Sequence, residues 1–206
     1  DVAHTEVTDH RIPRRPQISA QLLQNPAGSS SFSLPRLIPF PDTKTKPDPR
    51  DLALAWNSIA ENGMSLAEPQ AKELLSAAVK QYPEDPALLS ALAYTELRSG
   101  ATGQARELYQ RALARDSTLV DAATNLGVIK AQTGDLQGAL QLWEDAFEHA
   151  PARSAIGLNI ARAYCATGKF PEARSYALRV LEFNPDLSSA RKLLQSLNRS
   201  PASCGN

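Results

Sequence analysis

Cysteine, net charge and long apolar runs are all scarce in this 206-residue chain, and each shortage excludes a class of protein. Two cysteines, Cys165 and Cys204, are too few for a zinc site or a disulfide framework, and whether they pair with each other stays open. Twenty-two basic residues balance 22 acidic ones, so overall charge gives no reason to expect nucleic acid or an anionic membrane as partner. No apolar run approaches the ~20 residues of a membrane span. Aromatics make up only 6% of the chain while alanine and leucine are plentiful, a balance that favours helices over sheets. There is no nucleophile–base motif, no phosphate-binding glycine loop and no specific pair of carboxylates, so no catalytic residue is assigned and an enzyme is not expected. The chain starts at Asp1 without methionine or signal peptide, which implies a processed precursor or a piece of something longer.

What is present divides into two regions with different physics. Eight of the 15 prolines fall in the first 50 residues. Proline offers no amide donor and fixes its own backbone, so regular helices are not expected there. The segment "QNPAGSSSFSLPRLIPFPDTKTKPDPR" adds the serine and glycine of linkers, together with Phe32, Leu34, Leu37, Ile38 and Phe40. That composition predicts an extended arm over residues 1–50 that packs patchily on a neighbour.

From Asp51 an internal repeat takes over with a period of 34 residues. Gly100, Gly134 and Gly168 are in step, as are Ala71, Ala105, Ala139 and Ala173. Ala78, Ala112, Ala146 and Val180 form a third register, and Pro83, Pro151 and Pro185 a fourth, with Ser117 in its missing slot. Leu92, Leu126 and Ile160 are followed by Ala93, Gly127 and Ala161. Each unit reads as helix, turn, helix: the glycine ends the first helix in a left-handed backbone, and acidic caps or proline open the next at Asp85-Pro86, Gly134-Asp135 and Phe170-Pro171-Glu172. Ala139, Leu142, Trp143, Ala146, Phe147 and Ala150 lie on one helical stripe, and Ala173, Tyr176, Ala177, Val180 and Leu181 on its successor. Ala139 and Gly127 are small because two helices cross closely there.

These registers resemble the tetratricopeptide repeat family, whose unit carries small and aromatic residues at set places. The 120–153 unit matches with Leu126, Gly127, Ala139, Trp143, Ala146 and Pro151, and the 86–119 and 154–187 units nearly as well. The 51–85 unit is degenerate because "ENGMSLAEP" makes its turn too long, and 188–198 reads as a capping helix before a loose tail, 199–206. The resemblance implies an all-α, right-handed α-solenoid whose first helices line a groove for a protein partner. It carries the groove positions onto Ser90, Tyr94, Leu97 and Arg98, then Thr124, Val128, Ala131 and Gln132, then Leu158, Arg162 and Cys165. Asn125 and Asn159 sit where family asparagines occur, but the lysines of a carboxylate clamp are missing beside them, so structural bonds to neighbouring backbone are expected instead. Arg98 and Arg162 read as solvated cations, Cys165 as a small hydrophobe, and His149 as a residue suited to a helix C-terminus.

The remaining feature is "AHTEVTDHRIPRRP", residues 3–16, which holds His4 and His10. With the strap containing "LIPFPD" and the following "DPRDLALAW", it resembles the tail of bacterial multihaem c-type cytochromes that carry a tetratricopeptide array after their haem region. The resemblance implies that His4 or His10 is an axial ligand of haem iron, and that Arg11, Arg14 and Arg15 pair with haem propionates. It further implies a haem-bearing domain or subunit against residues 1–50, and a periplasmic or extracellular location. The chain itself has no Cys-x-x-Cys-His and cannot attach haem c covalently in the usual way, so the array would be a scaffold for an electron-transfer protein. Two alternatives stand beside it: a freestanding adaptor with no redox role, and the non-catalytic tail of a multihaem oxidoreductase.

Overall fold

A computed structural model describes residues 47–199; the expected arm up to residue 46, the tail from residue 200 with Cys204, and the expectations for His4, His10, Arg11, Arg14 and Arg15 lie outside them. Every regular element among the described residues is helical. Helix α1 (Pro49–Glu61) begins just before the expected Asp51, because Asp48 caps it by accepting from the Arg50 N–H at 2.8 Å and Pro49 needs no amide partner in the first turn. After α2 (Glu68–Gln81) the pairs follow in step: α3 (Pro86–Arg98) with α4 (Thr102–Arg115), α5 (Val120–Gln132) with α6 (Leu136–His149), and α7 (Ser154–Ala166) with α8 (Phe170–Phe183). Helix α9 (Ser188–Arg199) comes last. Each of α1 to α8 packs most extensively on its own partner and next on a helix of a neighbouring unit, the pattern of an α-solenoid.

The turns show how one short stretch ends a helix and starts another. Gly134 has φ 91°, a left-handed backbone that costs other residues strain. This geometry lets the Asp135 N–H return to the Lys130 carbonyl at 2.9 Å, closing α5. Asp135 then caps α6, its Oδ1 accepting from the Gly138 N–H at 2.9 Å while Lys130 Nζ donates to Oδ2 at 2.5 Å. Gly100 and Gly168 repeat the positive φ at the equivalent turns.

Close helix crossings explain the small residues. A Cβ on Gly127 would fall 2.3 Å from Trp143 Nε1, so only glycine lets the indole lie against α5. The indole N–H donates to the Thr124 carbonyl at 3.0 Å, which leaves no polar atom of the ring unmatched. Ala139, Tyr109, Phe147, Ile160 and Val180 are fully buried, and α9 closes the apolar end with Ala190, Leu193 and Leu197. Packed beyond them, Glu144 accepts from the Tyr164 and Tyr176 hydroxyls, tying α6 to α7 and α8.

The first unit departs from this regularity. Its turn holds a short 3-10 segment, Ser65–Ala67, and exposes Leu66. Asn57, though buried, has an Oδ1 with no hydrogen-bond partner among the described residues.

Candidate functional site: the first-helix groove

Among the described residues, hollows lie along the side of the array to which the first helices contribute, three of them well formed. The largest, about 730 Å³, is lined by Asn57 and Glu61 of α1, Ser90 and Tyr94 of α3, Tyr109 of α4, and Asp121 and Asn125 of α5. A second, about 320 Å³, lies between α1, α2 and α3 and is lined by Asn57, Glu68, Lys72, Tyr94 and Arg98. The third, about 580 Å³, lies at the other end against α9 and is lined by Ala131, Leu136, Trp143, Asn159, Arg162, Lys192 and Leu193 among others.

The structure spreads the expected groove residues unevenly. Ser90, Tyr94, Arg98 and Arg162 line hollows, and so does Ala131. Leu158 is buried at 7% exposure and packs in the core rather than lining the groove, since neighbouring apolar side chains of the cluster cover it. Val128 and Leu97 are half-buried against the core. Thr124 turns its hydroxyl back onto the Val120 carbonyl at 2.7 Å, and Gln132 is exposed outside the three hollows. Cys165 is buried and disulfide-bonded rather than a thiol. His149 Nδ1 lies 2.8 Å from the Asp145 carbonyl, a bond in which the ring N–H donates.

Charge in the hollows is mostly neutralised. Arg98 donates to Glu68 at 2.6 Å, with its guanidinium 6.0 Å from the Tyr94 ring centre, so it is a paired cation and not a solvated one. Lys72 donates to the nearly buried Glu96 at 2.9 Å, and Arg153 pairs with Asp121. Arg162 and Lys192 line the third hollow and have no acidic partner among the described residues.

The asparagines differ from expectation as well. Asn125 donates through Nδ2 to the Tyr109 hydroxyl at 3.0 Å, a side-chain partner from the preceding unit rather than backbone. Burial pushes the Tyr109 phenol well above its ordinary range, so it stays neutral and can serve that bond at any physiological pH. Asn159 makes no hydrogen bond among the described residues and borders the third hollow. Sequence reasoning missed Asn57, although 57, 91, 125 and 159 form one 34-residue register occupied by Asn, Ala, Asn and Asn. It missed Lys192 too, which continues the Thr124–Leu158 register into the capping helix.

Nothing in the described residues groups three or more histidines, cysteines or carboxylates in a way that could hold a metal ion. No helix among them is long and apolar enough to cross a membrane.

Helix pairs of one length, stacked in step with a groove along their first helices, define a repeat solenoid of the protein-binding class. A family model described as tetratricopeptide repeat matches residues 69–128 and 130–197, and the chain belongs to that family. Among solved structures it is similar to MamA AMB-1, at 20% identity over 76% of this chain and 84% of that one, with a TM-score of 0.62. It is also similar to MamA MSR-1, at 18% identity over 76% of this chain and 88% of the other, TM-score 0.61. A structure titled for functional characterization of Pseudomonas aeruginosa pilF matches at 22% identity, 75% and 73% coverage and TM-score 0.61. At these identities the likeness is one of fold. No curated protein matches the chain.

Proposed function

We propose that this chain is a protein-interaction scaffold that holds a peptide segment of a partner in the groove along α1, α3, α5 and α7. The observation that carries the reading is the pair of large hollows, about 730 and 580 Å³, on the same side of the array. Each combines apolar walls with side-chain polar groups, the lining expected of a site that fixes orientation by hydrogen bonds and gains affinity by burial. Catalysis is not part of the proposal, since the described polar groups are paired structurally or stand alone.

The family membership supports an array acting through protein contacts, and the freestanding adaptor is the better supported form of it. The cytochrome reading rests on residues 3–16 and the strap; no comparison favours it, although a disulfide-bonded Cys165 suits the oxidising compartment it requires. Haem c would then belong to a neighbouring domain or subunit, with His4 and His10 as its ligand candidates.

The first test is a groove mutant set. Tyr94→Ala with Asn159→Ala should abolish capture of a defined partner, while Arg106→Ala with Glu107→Ala, outside the hollows, should leave it unchanged. Equal loss in both variants would overturn the groove assignment. The intact mass and reduced-minus-oxidised spectrum of the protein from its native source separate the two forms: a colourless 22.3 kDa product means an independent array, and c-type bands at higher mass mean a cytochrome tail.

A further inference from the structure

Five cations line the three hollows, and their partners divide them sharply. Lys72, Arg98 and Arg153 each meet a carboxylate: Glu96, Glu68 and Asp121. Arg162 and Lys192 meet none among the described residues, and both face the same hollow at the α7–α9 end. Among the described residues no aspartate or glutamate lines that hollow. At the opposite end, Glu61 and Asp121 border the large hollow.

We propose that the α7–α9 hollow receives an acidic segment of the partner, one or two Asp or Glu side chains beside a leucine-sized apolar residue. The inference rests on the groove reading above and names its ligand. Two positive charges held on neighbouring helices attract carboxylates without any internal acid to displace, whereas at the paired sites a ligand must first break an ion pair. Leu136, Trp143 and Leu193 supply an apolar wall beside the cations, so an adjacent apolar side chain is buried as the carboxylate docks. The Asn159 amide, which bonds nothing among the described residues, can bond the segment's backbone. At the α1 end the cations are already paired and Glu61 adds a carboxylate with no cation partner among the described residues, so an acidic residue gains nothing there, which gives the bound segment one direction along the groove.

The test uses end-blocked 12-residue peptides presenting an acidic pair next to leucine, with Asn/Gln isosteres and free-carboxylate versions as controls, read by fluorescence anisotropy on the full chain. Acidic peptides should bind roughly five- to tenfold more tightly than their amide isosteres, as two partly screened ion pairs allow. Arg162→Gln with Lys192→Gln should erase that preference while leaving the thermal melt unchanged, since both side chains are exposed. A preference that persists in the double variant, or peptides that bind only with a free C-terminus, would overturn the acidic-segment assignment. Equal binding of acidic and amide peptides would also overturn it yet leave the groove reading intact. If no peptide binds at any composition, the groove reading itself fails.

Discussion

The unit of α5 and α6 and the unit of α1 and α2 meet the same packing problem with different materials. Between α5 and α6 the contact is apolar and interlocked: Gly127 admits the Trp143 indole, whose N–H is matched by Thr124. Around α1 the contacts are more polar: Arg50 reaches Asp85 at 2.5 Å, and Asn57 is buried with its oxygen unmatched. The asparagine shows why. In the equivalent register Asn125 is met by Tyr109, which comes from the helix before it, and among the described residues no helix precedes α1. Asn125 has a preceding unit to supply its partner, and among the described residues Asn57 has none.

The largest way to break that contrast is to remove the interlock. Trp143→Ala deletes a 4%-exposed indole at the α5–α6 crossing and should lower stability by about 3–5 kcal/mol. Urea unfolding followed by helical circular dichroism reads the loss. The chain has only two tryptophans, so Trp56 emission in that variant reports the α1 end separately. A loss under about 1 kcal/mol would mean the array does not depend on this crossing. Next in size is Ala139→Leu, which forces extra methylenes into a fully buried site and should destabilise by about 1–3 kcal/mol. An unchanged melting temperature would contradict the close crossing.

How much of this was legible beforehand follows from the same contrast. The middle units could be read because a crossing that tolerates only small residues writes them at a fixed period, as at Gly127, Ala139 and Ala146. The glycine turns and the Asp85 and Asp135 caps were legible for an equally local reason, since backbone sign and orphan amides depend on one or two residues. The groove was less so. Register alone placed Leu158 beside Arg162, but whether a position is displayed depends on what the next helices cover, and that is tertiary. Pairing was invisible in the same way: Arg98 and Arg162 look alike in sequence, and only the placement of Glu68 on α2 distinguishes them.

At the α1 end the effects are smaller and depend on pH. Burial alone would raise the Asp85 carboxyl, but the Arg50 hydrogen bond, the Leu88 N–H and the Arg50 charge outweigh it and hold the group below the usual carboxylate range. A carboxyl depressed in the folded state stabilises at pH above its unfolded value, about 3.9, and that contribution is lost as pH falls through the lower folded value. Asp85→Ala should therefore cost about 0.5–2 kcal/mol at neutral pH through loss of the α3 cap. Asp85→Asn keeps a capping oxygen and loses only the charge. Its unfolding midpoint should change less than that of the wild type between pH 7 and pH 3, and parallel profiles would show that the Arg50 pair contributes nothing.

The smallest effect sharpens the comparison most, because its sign is unusual. A buried polar group without a partner costs about 1–3 kcal/mol, and Asn57 Oδ1 is such a group. Asn57→Leu fills nearly the same volume and gives up only the Nδ2 bond to Glu61, 3.0 Å long and partly exposed. The two terms nearly cancel, so the variant should be neutral or up to about 1 kcal/mol more stable, read as a higher urea midpoint at unchanged slope. The equivalent change at Asn125 removes the partner of a buried Tyr109 hydroxyl and should destabilise by about 1–3 kcal/mol. Opposite signs at two positions of one register would confirm that being at the end of the array, rather than the residue type, sets the energetic role of the asparagine. Equal losses at both would mean that Asn57 is satisfied in solution, with ordered water as the available partner, and that the α1 end is as well matched as the middle.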